Sequence, residues 1–335
     1  MWRVFLSFVT HRLFLVIVAL SALHFQPTGQ VPFSELLSRF SQRISQSSEV
    51  QAINSNESSP REPLLWIVQK LSRVVPFPTE FLLLGLSNLF FFLFLWELYL
   101  FVNTMALPEV AVDTCLLSIL WLTSYEMSLG SALSLNCFLG ILSLRSALDH
   151  RWLVTGLTLA LLALTKPFAF FLLPLLLGFL LSQKKYSSPD AFARHCIYLL
   201  LPFLGAVFLR RDLYQNLGSI FQDSSLLSLI QSKESHWDLS WTYSTQYLGQ
   251  TISLAILIIG SILCFFVFST LLHKILPLFL VLALLLTTPY RELASNVLLA
   301  APAFSGIAEV CSTPILRIIQ LILLFFGAVE VFNLF

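Results

Sequence analysis

The chain is dominated by long apolar segments that follow one another with little polar sequence between them. About 20 apolar residues in an α-helix cross the roughly 30 Å hydrocarbon core of a bilayer. By that rule we expect eleven membrane spans, at 8–25, 80–102, 105–123, 127–146, 152–165, 167–182, 195–209, 247–271, 275–289, 294–310 and 315–334. The sequence therefore predicts an all-α fold, a polytopic transmembrane helix bundle that forms a single integral membrane domain over residues 1–335.

Two of these segments leave the count open between ten and eleven. The fifth and sixth are short and are separated by Lys166-Pro167. Proline breaks a helix and is favoured at the start of the next one, so the two could also form one re-entrant pair. The first segment runs into His24-Phe25-Gln26 without a small-residue cleavage site, and we interpret it as an anchor rather than a cleaved signal.

Composition excludes several classes of protein. Hydrophobic residues make up 57% of the chain and charged residues only 11%, against about 25% charged residues in a soluble domain. A soluble enzyme, a disordered chain and a nucleic-acid binder are thereby excluded. The five cysteines lie in or beside apolar runs and form no CxxC motif, and the six histidines are scattered, so neither a metal site nor a disulfide framework is predicted.

The distribution of Lys and Arg predicts the orientation in the membrane. With the N-terminus in the cytoplasm, the short outer loops hold only Lys166 and Arg291. A second long outer loop, 210–246, begins with Arg210 and Arg211, which fit this orientation poorly. The basic residues assigned to the inner face are Arg3, Arg12, Arg145, Arg151, Lys184, Lys185, Arg194, Lys274 and Arg317.

The first long outer loop, 26–79, carries two amphipathic patterns. Apolar residues recur at helical spacing within 33–44 and again within 63–75, with charged residues off the apolar stripe. The intervening 45–61 is rich in Ser, Asn and Glu and predicts an exposed loop. We expect two helices on the outer membrane surface, which either cap the bundle or shape the mouth of a lipid-facing cavity.

Three acidic residues fall within predicted spans. Glu97, Glu109 and Asp113 all lie toward the inner half of their spans. A charge inside a bilayer is costly, so each should be paired or functional. A nearby cation such as Arg145 is a candidate partner. The cluster would then stabilise the bundle, or it would form a proton or ion path.

The predicted outer face holds a second set of polar residues. Glu126 lies in the turn 124–128, Lys166 lies in the next outer turn, and Arg291 lies in a later one. Basic side chains at a membrane boundary suit a lipid-linked phosphate, although a plain surface anchor is also open for Lys166 and Arg291. Trp241 and Tyr243, at the end of the second long loop, suit either a sugar face or the interfacial aromatic belt.

Taken together, this layout resembles the GT-C class of polytopic glycosyltransferases, in particular its mannosyltransferase-like members. One likeness is the single span followed by a long outer loop with two surface helices. Another is the stretch 116–176, with an acidic or polar outer turn, a basic inner turn and then the sequence ALTKP. A third is TTPYRELASNVLLAAPAF at 287–304.

The resemblance implies a membrane-embedded transferase that moves a sugar from a polyprenyl-phosphate donor to an acceptor on the non-cytoplasmic side. In that class a carboxylate of the first outer loop acts as general base, and basic groups hold the departing phosphate. Position by position, Glu126 matches the acid of the second outer turn, Lys166 matches the basic residue of the TKP turn, and Arg291 matches the late arginine.

The chain departs from that class at the first outer loop. The hallmark acid, usually Asp, would follow the first span closely, but residues 26–34 contain no acid. Glu35 and Glu62 are the nearest carboxylates and are our candidates for the general base. Glu126 would orient the acceptor or assist a divalent cation, the one cofactor that we consider.

The departure leaves alternatives open. The chain could be a catalytically inactive GT-C-like subunit or lipid-binding scaffold, or, on the strength of its buried acids, a transporter or flippase. The lipid bilayer and a polyprenyl-phosphate-linked sugar are the expected partners. We expect the plasma membrane of a bacterium, because the loops are compact and Phe332–Phe335 carry no retention signal. An endoplasmic reticulum membrane would give the same span pattern.

Overall fold

The computed structural model describes residues 1–24, 32, 35, 39–40, 63–121, 130–182, 189–211, 241–269, 271–288, 296–311 and 313–334. For 182, 241–251, 271–272, 330 and 332–334 it describes the backbone alone. Regular structure in these residues is helical throughout. The α-helices are α1 (Trp2–His24), α2 (Pro63–Ser72), α3 (Thr79–Asn103), α4 (Pro108–Leu120), α5 (Leu133–Leu148), α6 (Trp152–Ala163), α7 (Phe168–Ser182), α8 (Pro189–Leu209), α9 (Trp241–Val267), α10 (Leu271–Thr287), α11 (Phe304–Val310) and α12 (Thr313–Leu334), with a 3-10 helix at Val297–Ala303 before α11. The all-α prediction is confirmed.

Among the helices whose side chains are described throughout, three are long and apolar enough to cross a membrane, namely α1, α3 and α8. Among the other apolar helices, α5, α6, α7 and α10 have 12–17 residues, which is shorter than a perpendicular crossing requires. Helices α9 and α12 have 27 and 22 residues. Every predicted span overlaps a helix of the structure, but 294–310 is divided between the 3-10 helix and α11. Their number as true membrane spans remains a prediction.

The helices pack as a chain of neighbours. Helix α5 lies between α3 and α6, and α6 packs on α8. Helix α9 packs on α10 and α11, and α4 joins the two groups because it contacts both α3 and α11. At that junction the rings of Trp121 and Phe304 lie 4.9 Å apart between centroids, and both side chains are buried.

Close backbone contact occurs where glycines meet a neighbouring helix. A Cβ on Gly156 of α6 would collide with the carbonyl oxygen of Tyr198 on α8. A Cβ on Gly306 of α11 would collide with the carbonyl oxygen of Gly260 on α9. Small residues at helix crossings are typical of bundles in membranes, where backbones approach closely to gain van der Waals contact.

The outer surface of α8 is strongly apolar. Leu201, Leu204 and Phe208 are 67%, 57% and 76% exposed, and their spacing of three and four residues places them on one face. Water-soluble domains rarely expose a contiguous apolar face of this kind. Such a face is suited to contact with lipid tails.

Two boundaries differ from the sequence prediction. Helix α1 begins at Trp2 rather than at residue 8, so Arg12 lies in the middle of the 23-residue helix and not at its inner end. Helix α2 ends at Ser72, and Val74 beyond it is 82% exposed. The first predicted surface helix, 33–44, lies mostly outside the described residues.

Candidate functional site

Most of the predicted site falls outside the residues that the structure describes. Glu62, Glu126 and Arg291 are not among them. Trp241 and Tyr243 lie in the first turn of α9, where only the backbone is described. Glu35 and Lys166 remain for a geometric test.

Glu35 is exposed and forms an ion pair with Arg39. Its carboxylate is 56% exposed and lies 3.8 Å from the guanidinium of Arg39, one helical turn away. A solvated pair of this kind contributes little to stability. The exposure keeps Glu35 accessible to an acceptor, and within the described residues no ion pair joins it to Lys166.

Lys166 lies in a turn that is tied to the start of α5. This turn, 164–167, joins α6 to α7. The hydroxyl of Thr165 donates a hydrogen bond of 2.7 Å to Oδ1 of Asn136 in the first turn of α5. Asn136 is 1% exposed, so the bond fixes the turn against a rigid, buried amide.

The end of α8 also contacts this turn. Arg210 follows the last residue of α8, and its guanidinium donates a hydrogen bond to the carbonyl oxygen of Leu164. We call Asn136, Thr165, Lys166 and Arg210 the turn cluster. Arg210 fitted the predicted orientation poorly, and the structure shows that it binds the C-terminal end of α6, where helical carbonyls lack intrahelical partners.

The turn cluster is rich in hydrogen-bond donors and carries two cations. Within the described part of the chain no carboxylate forms an ion pair with Lys166. There too, the Nδ2 group of Asn136 is buried and finds no acceptor. Ammonium, guanidinium and amide donors that lie together suit an anion such as a phosphate group.

Sequence reasoning singled out Lys166 as a candidate but did not single out Asn136 or Thr165. Asn136 is a lone amide within an apolar run, which in a membrane protein is itself a reason to suspect a function. Thr165 belongs to the same ALTKP motif as Lys166. Both residues were therefore visible in the sequence as unusual. The contact between them joins two helices, so local sequence patterns could not predict it.

The acids predicted toward the inner half behave differently. Glu97 Oε2 lies 2.6 Å from Nη1 of Arg145, in line with the expected pairing. Asp113 is paired instead with Arg317 of α12, at 3.5 Å. Glu109 is exposed in the first turn of α4, so the prediction that it is buried was wrong. It lies at a helix N-terminus, where an acidic side chain is favoured.

Within the described ranges, no group of three or more His, Cys, Asp or Glu side chains is arranged to hold a metal ion. The described part of the chain is thus all-helical, includes three helices long and apolar enough to cross a membrane, and has a cationic turn cluster at one end of α6. No family model, no curated protein and no solved structure matches the chain.

Proposed function

We propose that the chain is a multi-pass membrane glycosyltransferase that moves a sugar from a polyprenyl-phosphate donor to an acceptor on the non-cytoplasmic side. The observation that best supports this proposal is the turn cluster, in which the turn that carries Lys166 binds the buried amide of Asn136 through Thr165 and binds Arg210 through the Leu164 carbonyl. A departing lipid phosphate needs preorganised positive charge. The cluster provides that charge on a turn held by three helices.

Each residue of the proposal has a distinct part. Lys166 neutralises the phosphate, while Thr165 and Asn136 hold the turn that carries it. Glu35 or Glu62 takes the proton of the acceptor hydroxyl, as a general base must. Glu126 and Arg291 complete the site as the resemblance implies.

The test is sugar transfer in membranes that contain the full chain. With a radiolabelled polyprenyl-phosphate sugar as donor, we expect Lys166→Gln to lower turnover by about tenfold to a thousandfold and Lys166→Arg to retain part of it. Arg194→Gln, an exposed arginine at the opposite end of the bundle, is the matched control. Unchanged transfer by Lys166→Gln would contradict the proposal.

A second variant tests the base. Replacing both Glu35 and Glu62 by Gln should abolish transfer, because neither amide can accept a proton at neutral pH. Normal transfer by this double variant would show that the base lies elsewhere.

The alternative is a catalytically inactive subunit or lipid-binding scaffold. It is favoured by the exposed Glu35–Arg39 pair and by the lack of an acid within 26–34. The same variants separate the two proposals. In the alternative, Lys166→Gln would weaken assembly or lipid binding, and wild-type membranes would transfer no sugar.

A transporter or flippase ranks third. It rests on acids within the bundle, yet Glu97 and Asp113 are each paired with an arginine. This pairing favours a stabilising role for both acids.

A further inference from the structure

A cavity that is open on one side lies between α1 and α3, and none of its lining residues belongs to the turn cluster. Its volume is about 340 Å³, at the lower end of the range of about 300–1,000 Å³ that small-molecule sites occupy. Phe40, from the first outer loop, and Val331 of α12 also contribute to its wall. A cavity of this size accommodates one small ligand or one hydrocarbon tail.

The cavity wall is apolar except at two side chains. Leu13, Val16 and Leu84 are typical of its surface, and the polar lining residues are Arg12 of α1 and Asn88 of α3. The lining that the described residues provide thus contains a cation and an amide but no acid. Such a wall is complementary to an anionic group attached to an apolar chain.

Arg12 lies deep in the bundle. It is about 15 Å along the helix axis from the first residue of α1, at a rise of about 1.5 Å per residue. Its guanidinium carbon lies 4.6 Å from the ring centroid of Phe91, in the middle of α3. In a bilayer this position is near the midplane, where a charged side chain is rare and marks a functional site by default.

The depth of Arg12 in the bundle limits which anionic head group can reach it. Transfer of an ion from water into a hydrocarbon core has a large free-energy cost, and an ionisable group avoids this cost by entering in its neutral form. A carboxylic acid can do so near neutral pH, whereas a phosphate keeps at least one negative charge. Once beside a guanidinium, a carboxylate gains two parallel charge-assisted hydrogen bonds.

We propose that the cavity between α1 and α3 binds a long-chain fatty acid, with its carboxylate on Arg12 and its hydrocarbon tail along the apolar wall. This site is separate from the turn cluster and does not depend on the proposed transferase activity. Its ligand is a membrane lipid component rather than the sugar donor.

Gly85 offers a way to fill the cavity without disturbing the fold. It lines the cavity, and a Cβ built on it meets no heavy atom within 4 Å. Leucine at this position would therefore occupy space that the tail needs. Gly205 on α8 is equally unobstructed and serves as the matched control.

The experiment is photo-cross-linking in phosphatidylcholine vesicles that contain the full chain. The probe is dodecanoic acid with a diazirine near its tail end, and labelled peptides are identified by mass spectrometry. We expect the label on α1 and α3. We expect Arg12→Gln and Gly85→Leu each to reduce it about tenfold, and Arg211→Gln and Gly205→Leu to leave it unchanged.

Competitors identify the head group. Unlabelled dodecanoic acid should displace the probe, whereas dodecanol and dodecyl phosphate should do so about tenfold less well. Equal competition by dodecanol would overturn the role of Arg12, and equal competition by dodecyl phosphate would overturn the choice of a carboxylate. Labelling that both Arg12→Gln and Gly85→Leu leave intact would overturn the site itself.

Discussion

Arg145 of α5 and Glu97 of α3 form an ion pair with 2.6 Å between Nη1 and Oε2, and both side chains are mostly buried. The guanidinium also lies 3.8 Å from the carboxylate of Asp149, one turn further along α5. One arginine thus binds two acids at the end where α3 and α5 both finish. The pair fixes these two helices relative to each other.

Removing one partner of this pair should destabilise the protein. Glu97→Gln leaves the Arg145 charge with only the longer contact to Asp149, and we expect a loss of about 2–3 kcal/mol in the free energy of unfolding. The measurement is thermal unfolding in a neutral detergent. Glu309→Gln removes an exposed acid and should change the midpoint little. Equal effects of the two substitutions would refute a stabilising role for the pair.

The crossing of α9 and α11 should tolerate no added methyl group. A Cβ on Gly306 would meet the Gly260 carbonyl and would lie 2.6 Å from the backbone nitrogen of Cys264. Gly306→Ala therefore forces the helices apart, at a cost of about 1–3 kcal/mol. Gly178→Ala, where a Cβ meets nothing within 4 Å, should instead stabilise α7 by up to about 1 kcal/mol. In thermal unfolding, Gly306→Ala should lower the midpoint and Gly178→Ala should raise it. Midpoint shifts of the same sign would contradict this packing.

A serine links the start of α5 to α3. Ser87 of α3 is fully buried, and its hydroxyl donates to the Ser131 carbonyl at 2.9 Å and accepts from the Ser131 amide at 3.1 Å. We expect Ser87→Ala to lower stability by about 1–2 kcal/mol, because buried polar groups lose a partner.

The control for that prediction is Ser72→Ala. The Ser72 hydroxyl bonds only within its own helix, to the carbonyl of Gln69. Its loss should cost a few tenths of a kcal/mol at most, since alanine is the better helix former. Chemical denaturation of both variants gives the comparison, and a smaller loss for Ser87→Ala than for Ser72→Ala would show that the link contributes nothing.

The positions of the helices were predictable because each depends on a local run of apolar residues. Pro167 is the clearest example. The predicted break between two segments at Lys166-Pro167 corresponds to the observed break between α6, which ends at Ala163, and α7, which begins at Phe168. Proline restricts the backbone of its own residue and of the one before it, so this boundary needs no tertiary information.

The depth of Arg12 was not predictable in the same way. Placing the start of the first span after Arg3 left Arg12 near the inner end. In the structure α1 includes Trp2 and Arg3, so Arg12 lies midway along it. How far a helix continues past a charged residue depends on what it packs against, and α1 packs against α4 and α12.

The candidate site was predictable in part for a similar reason. Lys166 could be proposed as a candidate because a basic residue beside proline, between two apolar runs, is visible in the sequence alone. The Thr165–Asn136 bond and the Asp113–Arg317 pair join helices that are distant in the chain. Such partners are fixed by packing, which local periodicity does not encode.

The central claim is that the helices span a membrane with the turn cluster on its outer side. It is tested by labelling single cysteines in intact cells, in a background where Cys196 and Cys311, the partly exposed cysteines of the described chain, are serine. Arg211→Cys lies at the turn-cluster end, and Arg151→Cys lies at the other end of α6; both positions are exposed.

A membrane-impermeant maleimide should label Arg211→Cys in intact cells and label Arg151→Cys only after the cells are permeabilised. Labelling of both positions in intact cells, or release of the protein into the aqueous fraction by an alkaline wash, would contradict the account.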